Sequence, residues 1–268
     1  MIDPIVAAAL ADPAQPDEST IEAAGIPFHV LAWGDPDAPR VLLIHGVTSN
    51  ARTWWRVGPA IAAAGYRVIA PDLPGHGKTG HWAGHVAFRD TARDVAAFAR
   101  AAMPGDSPAD VRVVGHSWGG MTAAAFPSAG YAPLRLVLVD PPTLPLAVIR
   151  HLLEDPSERR YEDIGEAMAA VGALHPTWGY GDVVAKAEGL TQFDEPAVLS
   201  VLTENGDWDG GLAALADPAA GGLFWDAAVP AFAARLGAEH ITTIGRAPHS
   251  PQRTHPVETT DAILRALA

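Results

Sequence analysis

The chain has 268 residues, no cysteine, and 18 Lys+Arg against 31 Asp+Glu for a formal net charge of −13. The missing thiols exclude disulfides, thiolate nucleophiles and Cys-ligated zinc or iron–sulfur centres. With Lys78 and Lys186 as its two lysines and the arginines scattered, the chain lacks the basic face that nucleic acid or an anionic membrane surface requires. A hydrophobic share of 49% with 18% charged residues describes a globular chain able to bury a core. No apolar run approaches the ~20 residues that span a bilayer. Met1-Ile2-Asp3-Pro4 lacks the basic and apolar regions of a signal peptide, so a cytoplasmic location is expected.

Up to about Glu22 the chain is rich in Ala, Pro and Asp and reads as an arm or short helix that adds little to the core. Residues 26–33 alternate as a strand, followed by the turn Gly34-Asp35-Pro36-Asp37-Ala38-Pro39. Short apolar runs at 40–44, 67–70, 111–114, 134–139 and 240–244 have the character of strands buried on both faces. Helical patterns at 53–64, 85–103 and 118–129 lie between them, and residues 256–267 form a closing helix. This alternation predicts an α/β fold with a mostly parallel sheet covered by helices. From 142 onward the rhythm breaks into helical segments near 144–154, 161–172, 183–190 and 195–203, which predict a helical insert over the sheet. Residues 211–216 are the best candidate for the next strand, although their alanines and leucines favour helix. The expected division is a sheet core of residues 1–141 and 211–268 carrying a helical lid of residues 142–210.

The strongest chemical signal is Gly115-His116-Ser117-Trp118-Gly119-Gly120, which directly follows a strand and directly precedes a helix. A serine flanked by glycines on so sharp a turn presents its hydroxyl at the top of the sheet. A hydroxyl becomes a useful nucleophile only when a base takes its proton. His249, in the loop after the last strand, is the expected base, preferred over His255, which Pro256 follows at the start of the closing helix. The backbone N–H groups of Trp118 and Val47 are the expected oxyanion donors, with Gly46 permitting the close turn and His45 holding the loop. Of the eight tryptophans, half are expected in the core; Trp54, Trp55 and Trp178 are candidates, with His45 and Gly46, to line an apolar substrate pocket. His76, His81 and His85 lack the glutamate of a metalloprotease pattern, so no metal is expected. Gly75-His76-Gly77-Lys78-Thr79 has Asp72 where a phosphate loop needs its first glycine.

His45-Gly46, Asp72-Leu73-Pro74-Gly75-His76-Gly77, the Gly115–Gly120 motif and the late His249 together resemble the α/β-hydrolase superfamily, in that family's order from about Ile26 to the C-terminus. The resemblance implies an eight-stranded, mostly parallel sheet, a lid inserted after the sixth strand, no cofactor, and a structural role for the Asp72–Gly77 turn. It also implies an acid that orients the histidine. Asp140, at the end of the sixth strand, is the first candidate; Asp217 is the alternative, or Asp226 if the seventh strand is misplaced. The expected activity is hydrolysis of a small, largely apolar ester, lactone or thioester through an acyl-enzyme on Ser117. Carbon–carbon bond hydrolysis, cofactor-free perhydrolysis or non-catalytic ligand binding are the alternatives. Epoxide and haloalkane chemistry is disfavoured, because related enzymes performing it carry a carboxylate where this chain has serine. The expected partner is a small-molecule substrate; the sequence does not give the oligomeric state.

Overall fold

The computed structural model of the chain describes residues 2–79, 87–142, 158–205, 220–225 and 241–268. The strands are β1 (Asp17–Ala23), β2 (Ile26–Trp33), β3 (Arg40–Ile44), β4 (Arg67–Pro71), β5 (Arg112–His116), β6 (Arg135–Val139), β7 (Ala220–Trp225) and β8 (Ile241–Ile244). They form one sheet in the order β1-β2-β4-β3-β5-β6-β7-β8. The β1–β2 and β2–β4 pairs are antiparallel and all the others are parallel.

Successive strand side chains point to opposite faces, and the central apolar runs exploit this. Leu42, Ile44, Val113 and Leu138 join one buried cluster, packed under α3 (Phe88–Ala102) and α4 (Trp118–Ala124). Val41, Leu43, Val114 and Val137 join the other, packed under α2 (Val57–Ala63) and the closing helix α9 (Pro256–Leu267). Runs with no polar alternation therefore mark strands sandwiched between helices.

The N-terminal stretch does more than an arm. Helix α1 (Pro4–Ala11) buries Val6 and Leu10 against Ala60, and β1 pairs with β2 along its whole length. β1 reads poorly in the sequence because Asp-Glu-Ser-Thr-Ile-Glu-Ala belongs to a sheet edge, exposed over most of its length. The 53–64 helix is instead a 3₁₀ turn at Ala51–Trp54 followed by α2, and the 118–129 helix divides into α4 and a 3₁₀ turn at Phe126–Ala129. Pro127, which has no N–H to give an α-helix, accounts for the second division. The strand beside β6 is Ala220–Trp225, not residues 211–216. Its Ala-Gly-Gly start has low strand propensity, and its place is set by pairing with β6 and β8. Residues 211–216 and the predicted 144–154 helix lie outside the described residues.

Between β6 and β7 the chain forms α5 (Ile164–Leu174), α6 (Tyr180–Thr191) and α7 (Glu195–Glu204). Tyr161, Val171, Leu190, Phe193 and Val198 make a small core of their own, against which the half-buried Val47 of the β3–α2 loop packs. The loop after β4 is held by the buried Asp72 carboxylate, which accepts from Ala51 N–H at 2.7 Å, Lys78 N–H at 2.9 Å and His29 Nδ1 at 2.8 Å. Burial opposes ionisation of Asp72, but His29, His45 and the two amides overcome it and hold the pKa below the usual carboxylate value. The Asp72–Gly77 segment is thus a structural turn. Gly77, with φ +52°, leaves room where a Cβ would strike that carboxylate.

The β5–α4 turn places Ser117 at φ 53°, ψ −125°, a backbone region that glycine enters freely and serine does not. Such a residue stores about 1–3 kcal/mol of strain. Ser117→Gly is expected to unfold at higher denaturant concentration than Ser117→Ala, although glycine ordinarily loses to alanine. Equal midpoints, or a lower one for the glycine variant, would show an unstrained turn.

Candidate active site

β5 and β6 are neighbours in register, with His116 opposite Val139, so the residues that leave their C-terminal ends, Ser117 and Asp140, stand side by side. Ser117 N–H donates to Val139 O at 2.9 Å across the gap. Asp140 shares the positive-φ backbone, at 47°. His249 arrives in the loop after β8 and lies between them. Its Nε2 is 2.8 Å from Ser117 Oγ, and its Nδ1 donates to Asp140 Oδ2. Of the three candidate acids the structure brings Asp140 to the histidine. Asp217 precedes β7 in the chain, and it and Asp226 lie outside the described residues. His255 is occupied elsewhere, 2.9 Å from Thr254 Oγ1.

Burial raises the pKa of Asp140 above the usual carboxylate value, with the His249 hydrogen bond acting against it. Ser117 and Asp140 are buried while the His249 ring is 47% exposed, so the histidine alone of the three opens toward solvent.

Two buried histidines hold the surrounding loops. His116 Nε2 donates to His249 O at 2.8 Å, binding the histidine loop to the end of β5. A carbonyl only accepts, so His116 carries its proton on Nε2. Burial, followed by the nearby His249, keeps its pKa well below the ordinary histidine value and its ring neutral. His45 Nε2 accepts from Leu73 N–H at 2.9 Å while Nδ1 donates to Gly46 O at 2.8 Å, and burial lowers its pKa too. His45 therefore holds the β3 loop to the β4 loop, as expected of it, but it is fully buried with both ring nitrogens spent and does not line the pocket for which it is also a candidate.

Gly46 stands directly against the serine: a Cβ there would come within 3.1 Å of Ser117 Cβ. Gly119 packs so closely on the end of β3 that a Cβ would run into the carbonyls of Ile44 and His45. The segment carrying Val47 is thereby pressed against the turn carrying Trp118. Trp118 N–H is the first amide of α4 and has no acceptor within the helix. Neither it nor Val47 N–H has a hydrogen-bond acceptor among the described residues.

The tryptophans divide differently from expectation. Trp54 is fully buried in the core under α2, edge-on to His116 at 6.5 Å between ring centroids, and does not line a pocket. Trp55 Nε1 donates to Asp182 Oδ1 at 2.9 Å, and Trp178 stacks on His175 at 3.8 Å with the Arg253 guanidinium over its ring at 4.7 Å. Trp208, like His81 and His85, lies outside the described residues.

Sequence reasoning missed the polar groups beneath these rings. Arg253, in the single turn α8 (Pro251–Thr254), donates to Asp182 O and to Thr53 Oγ1, both at 2.9 Å, and Arg56 pairs with the Asp182 carboxylate. Burial lowers the Arg253 pKa to about 10, still leaving it charged. Lys186 binds Thr48 and Glu158. The available signal was positional: Arg253 follows His249 by one helical turn, and Asp182 and Lys186 share a helix face.

Comparison with known proteins finds counterparts of this fold. Lipase LipV of Mycobacterium tuberculosis is 37% identical over 160 residues, covering 54% of this chain and 58% of that protein. Epoxide hydrolase B of the same organism is 30% identical over 178 residues, covering 64% of this chain and 48% of that protein. The chain thus spans about half the length of these curated relatives. Among solved structures, the M. tuberculosis esterase Rv0045c superposes with a TM-score of 0.72 at 22% identity, covering 99% of both chains. E-2-(acetamidomethylene)succinate hydrolase superposes with a TM-score of 0.73 at 18% identity, covering 94% of this chain and 99% of that one. No helix among the described residues is long and apolar enough to cross a membrane. Residues 39–176 match the family profile described as the alpha/beta hydrolase fold, and with that match across half its length the chain belongs to the α/β-hydrolase family.

Proposed function

We propose that the protein is a cytoplasmic serine hydrolase that cleaves a small, largely apolar ester, lactone or thioester without a cofactor. The observation that carries this reading is the continuous line from Ser117 Oγ through the His249 ring to the Asp140 carboxylate. His249 takes the Ser117 proton as the hydroxyl attacks the substrate carbonyl, and Asp140 holds the ring with its proton on Nδ1 and steadies the imidazolium that forms. The Val47 and Trp118 amides, which have no acceptor among the described residues, receive the oxyanion. Collapse of the tetrahedral intermediate expels the alcohol or thiol, which takes the proton back from His249. The same histidine then activates water against the acyl-enzyme and regenerates Ser117.

Residues 142–210 serve as the lid in this reading. Val47 packs on the apolar core of α5–α7, which supports an apolar acyl site between lid and sheet more directly than Trp54 or Trp55 does. Epoxide hydrolases and a haloalkane dehalogenase stand among the relatives. Serine at position 117, where such enzymes carry a carboxylate, favours acyl transfer. Asp140 against His249 favours the catalytic reading over a non-catalytic ligand-binding protein.

A fluorophosphonate probe should label the protein at Ser117. The Ser117→Ala variant should lose both labelling and at least about 10³-fold in p-nitrophenyl ester hydrolysis; labelling that persists in the variant would refute the assignment. Asp140→Asn should lose about 10⁴-fold in kcat through the wrong histidine tautomer; a loss under tenfold would remove Asp140 from the mechanism.

The stability of Asp140→Asn has a predictable pH dependence. The folded-state pKa of Asp140 is raised, so keeping it ionised costs stability above that pKa, and the cost disappears as the pH falls through it. Asparagine also tolerates a positive φ. The variant should therefore be at least as stable as the parent at neutral pH, with its advantage shrinking on acidification. A thermal-melting series against pH checks this, and a variant less stable at pH 7 than at pH 4, relative to the parent, would reverse the sign.

A further inference from the structure

Helix α6 lies across the segment that follows β3. Asp182, Lys186 and Gly189 are spaced i, i+4 and i+7, which puts them on one helical face. Each meets that segment: Asp182 at Trp55 and Arg56, Lys186 at Thr48, and Gly189 at Ser49. The approach at Gly189 is close enough that a Cβ would come 2.9 Å from Ser49 Cα and 3.0 Å from Thr48 O. Arg52 adds an outer tie, its Nε 2.9 Å from Glu188 Oε2. Helix and loop backbone are therefore in direct contact just beyond Val47.

Lys186 is the polar centre of that contact. Its side chain is only 8% exposed, and its ammonium donates to Thr48 Oγ1 at 2.9 Å, to Thr48 O at 3.4 Å and to Glu158 Oε2 at 3.1 Å. The Thr48 hydroxyl also lies 2.8 Å from Val47 O and against the Glu158 carboxylate. Thr48 has φ 52°, a left-handed conformation that a β-branched residue adopts only when its surroundings enforce it. Rotation of Thr48 back toward ordinary φ turns the peptide plane between it and Val47, and with it the Val47 segment that faces Ser117. The lysine grips both the carbonyl and the hydroxyl of the one residue whose relaxation would disturb that segment.

We propose that Lys186 is a positioning residue for the oxyanion site: by holding Thr48 in its left-handed conformation from the lid helix, it sets the Val47 amide where the oxyanion forms. This rests on the reading of Val47 as an oxyanion donor. Lys186 touches no reacting atom, and its effect reaches the chemistry only through the loop. Because the grip comes from α6, the amide is aligned only while that helix is seated.

The test compares the full-length protein with Lys186→Met and Lys186→Arg on p-nitrophenyl butyrate, and measures inhibition by an alkyl trifluoromethyl ketone, whose serine adduct carries an oxyanion. Removing an oxyanion donor outright costs about 10²–10³-fold in kcat, so losing its alignment should cost Lys186→Met about 30-fold. KM should stay within about threefold, the trifluoromethyl ketone should weaken in step with kcat, and Lys186→Arg should restore most of both. A change confined to KM or melting temperature, with kcat and ketone affinity intact, overturns the proposal in favour of a purely structural anchor. If Lys186→Met does not fold, Thr48→Ala gives the decision, since it removes the gripped hydroxyl and leaves the lysine paired with Glu158. A kcat reduced about threefold to tenfold supports the proposal, and an unchanged kcat overturns it. Failure of the parent reading looks different: the unaltered protein would then neither hydrolyse the ester nor take a fluorophosphonate at Ser117.

Discussion

The crossing of the β5–α4 turn over the end of β3 is a steric constraint, and the rest of the site is built around it. Gly119 meets the carbonyls of Ile44 and His45 with no space for a side chain, and Gly46 stands close against the Cβ of Ser117. Backbone-to-backbone contact of this kind leaves little freedom to slide. It determines how far the serine stands from the Val47 segment, and it forces Ser117 into its strained conformation. Asp140 then needs only the ordinary parallel pairing of β5 with β6 to stand beside that serine.

The histidines show how burial sorts one residue type into different tasks. His45 and His116 are enclosed, depressed in pKa and fixed in tautomer by a backbone partner, so they serve as neutral cross-links between loops. His76, also enclosed and stacked on Trp118, is lowered to about 3 by burial. His29, beside Asp72, is shifted the opposite way, its pKa raised chiefly by that carboxylate. His249 is the one of these whose ring is about half open to solvent, which suits the proton-carrying role proposed for it.

What could be read in the residues follows from how local each signal is. Gly115–Gly120 announces itself because a sharp turn demands small residues at fixed spacing, and the central strands do so because burial on both faces demands continuous apolar runs. β1 and β7 are different. An edge strand of charged residues and a strand beginning Ala-Gly-Gly owe their conformation to partners that lie far away in sequence, with Ala220 opposite Leu136. Asp140 was readable as the first candidate because it ends an unmistakable strand, but its contact with His249 becomes visible only in the fold. His45, and Trp54 soon after it, look like pocket residues from their place behind β3, yet the chain turns their side chains into the core. Asp182 and Lys186 share a helix face in the sequence, but their partners Arg253, Arg56 and Thr48 lie far away in the chain and meet them only once α6 is docked.

The attachment of the insert also has a mechanical meaning. Arg253 leaves the helix that begins right after the histidine loop and grips the start of α6, while Lys186 and Gly189 bind the middle and end of that helix to the β3 loop. One helix thus spans the two loops that converge on Ser117, as a crossbeam spans two posts. α5 and α7 flank it without supplying these ties. Loosening this crossbeam would shift both loops at once, whereas a change in a flanking helix leaves both ties in place.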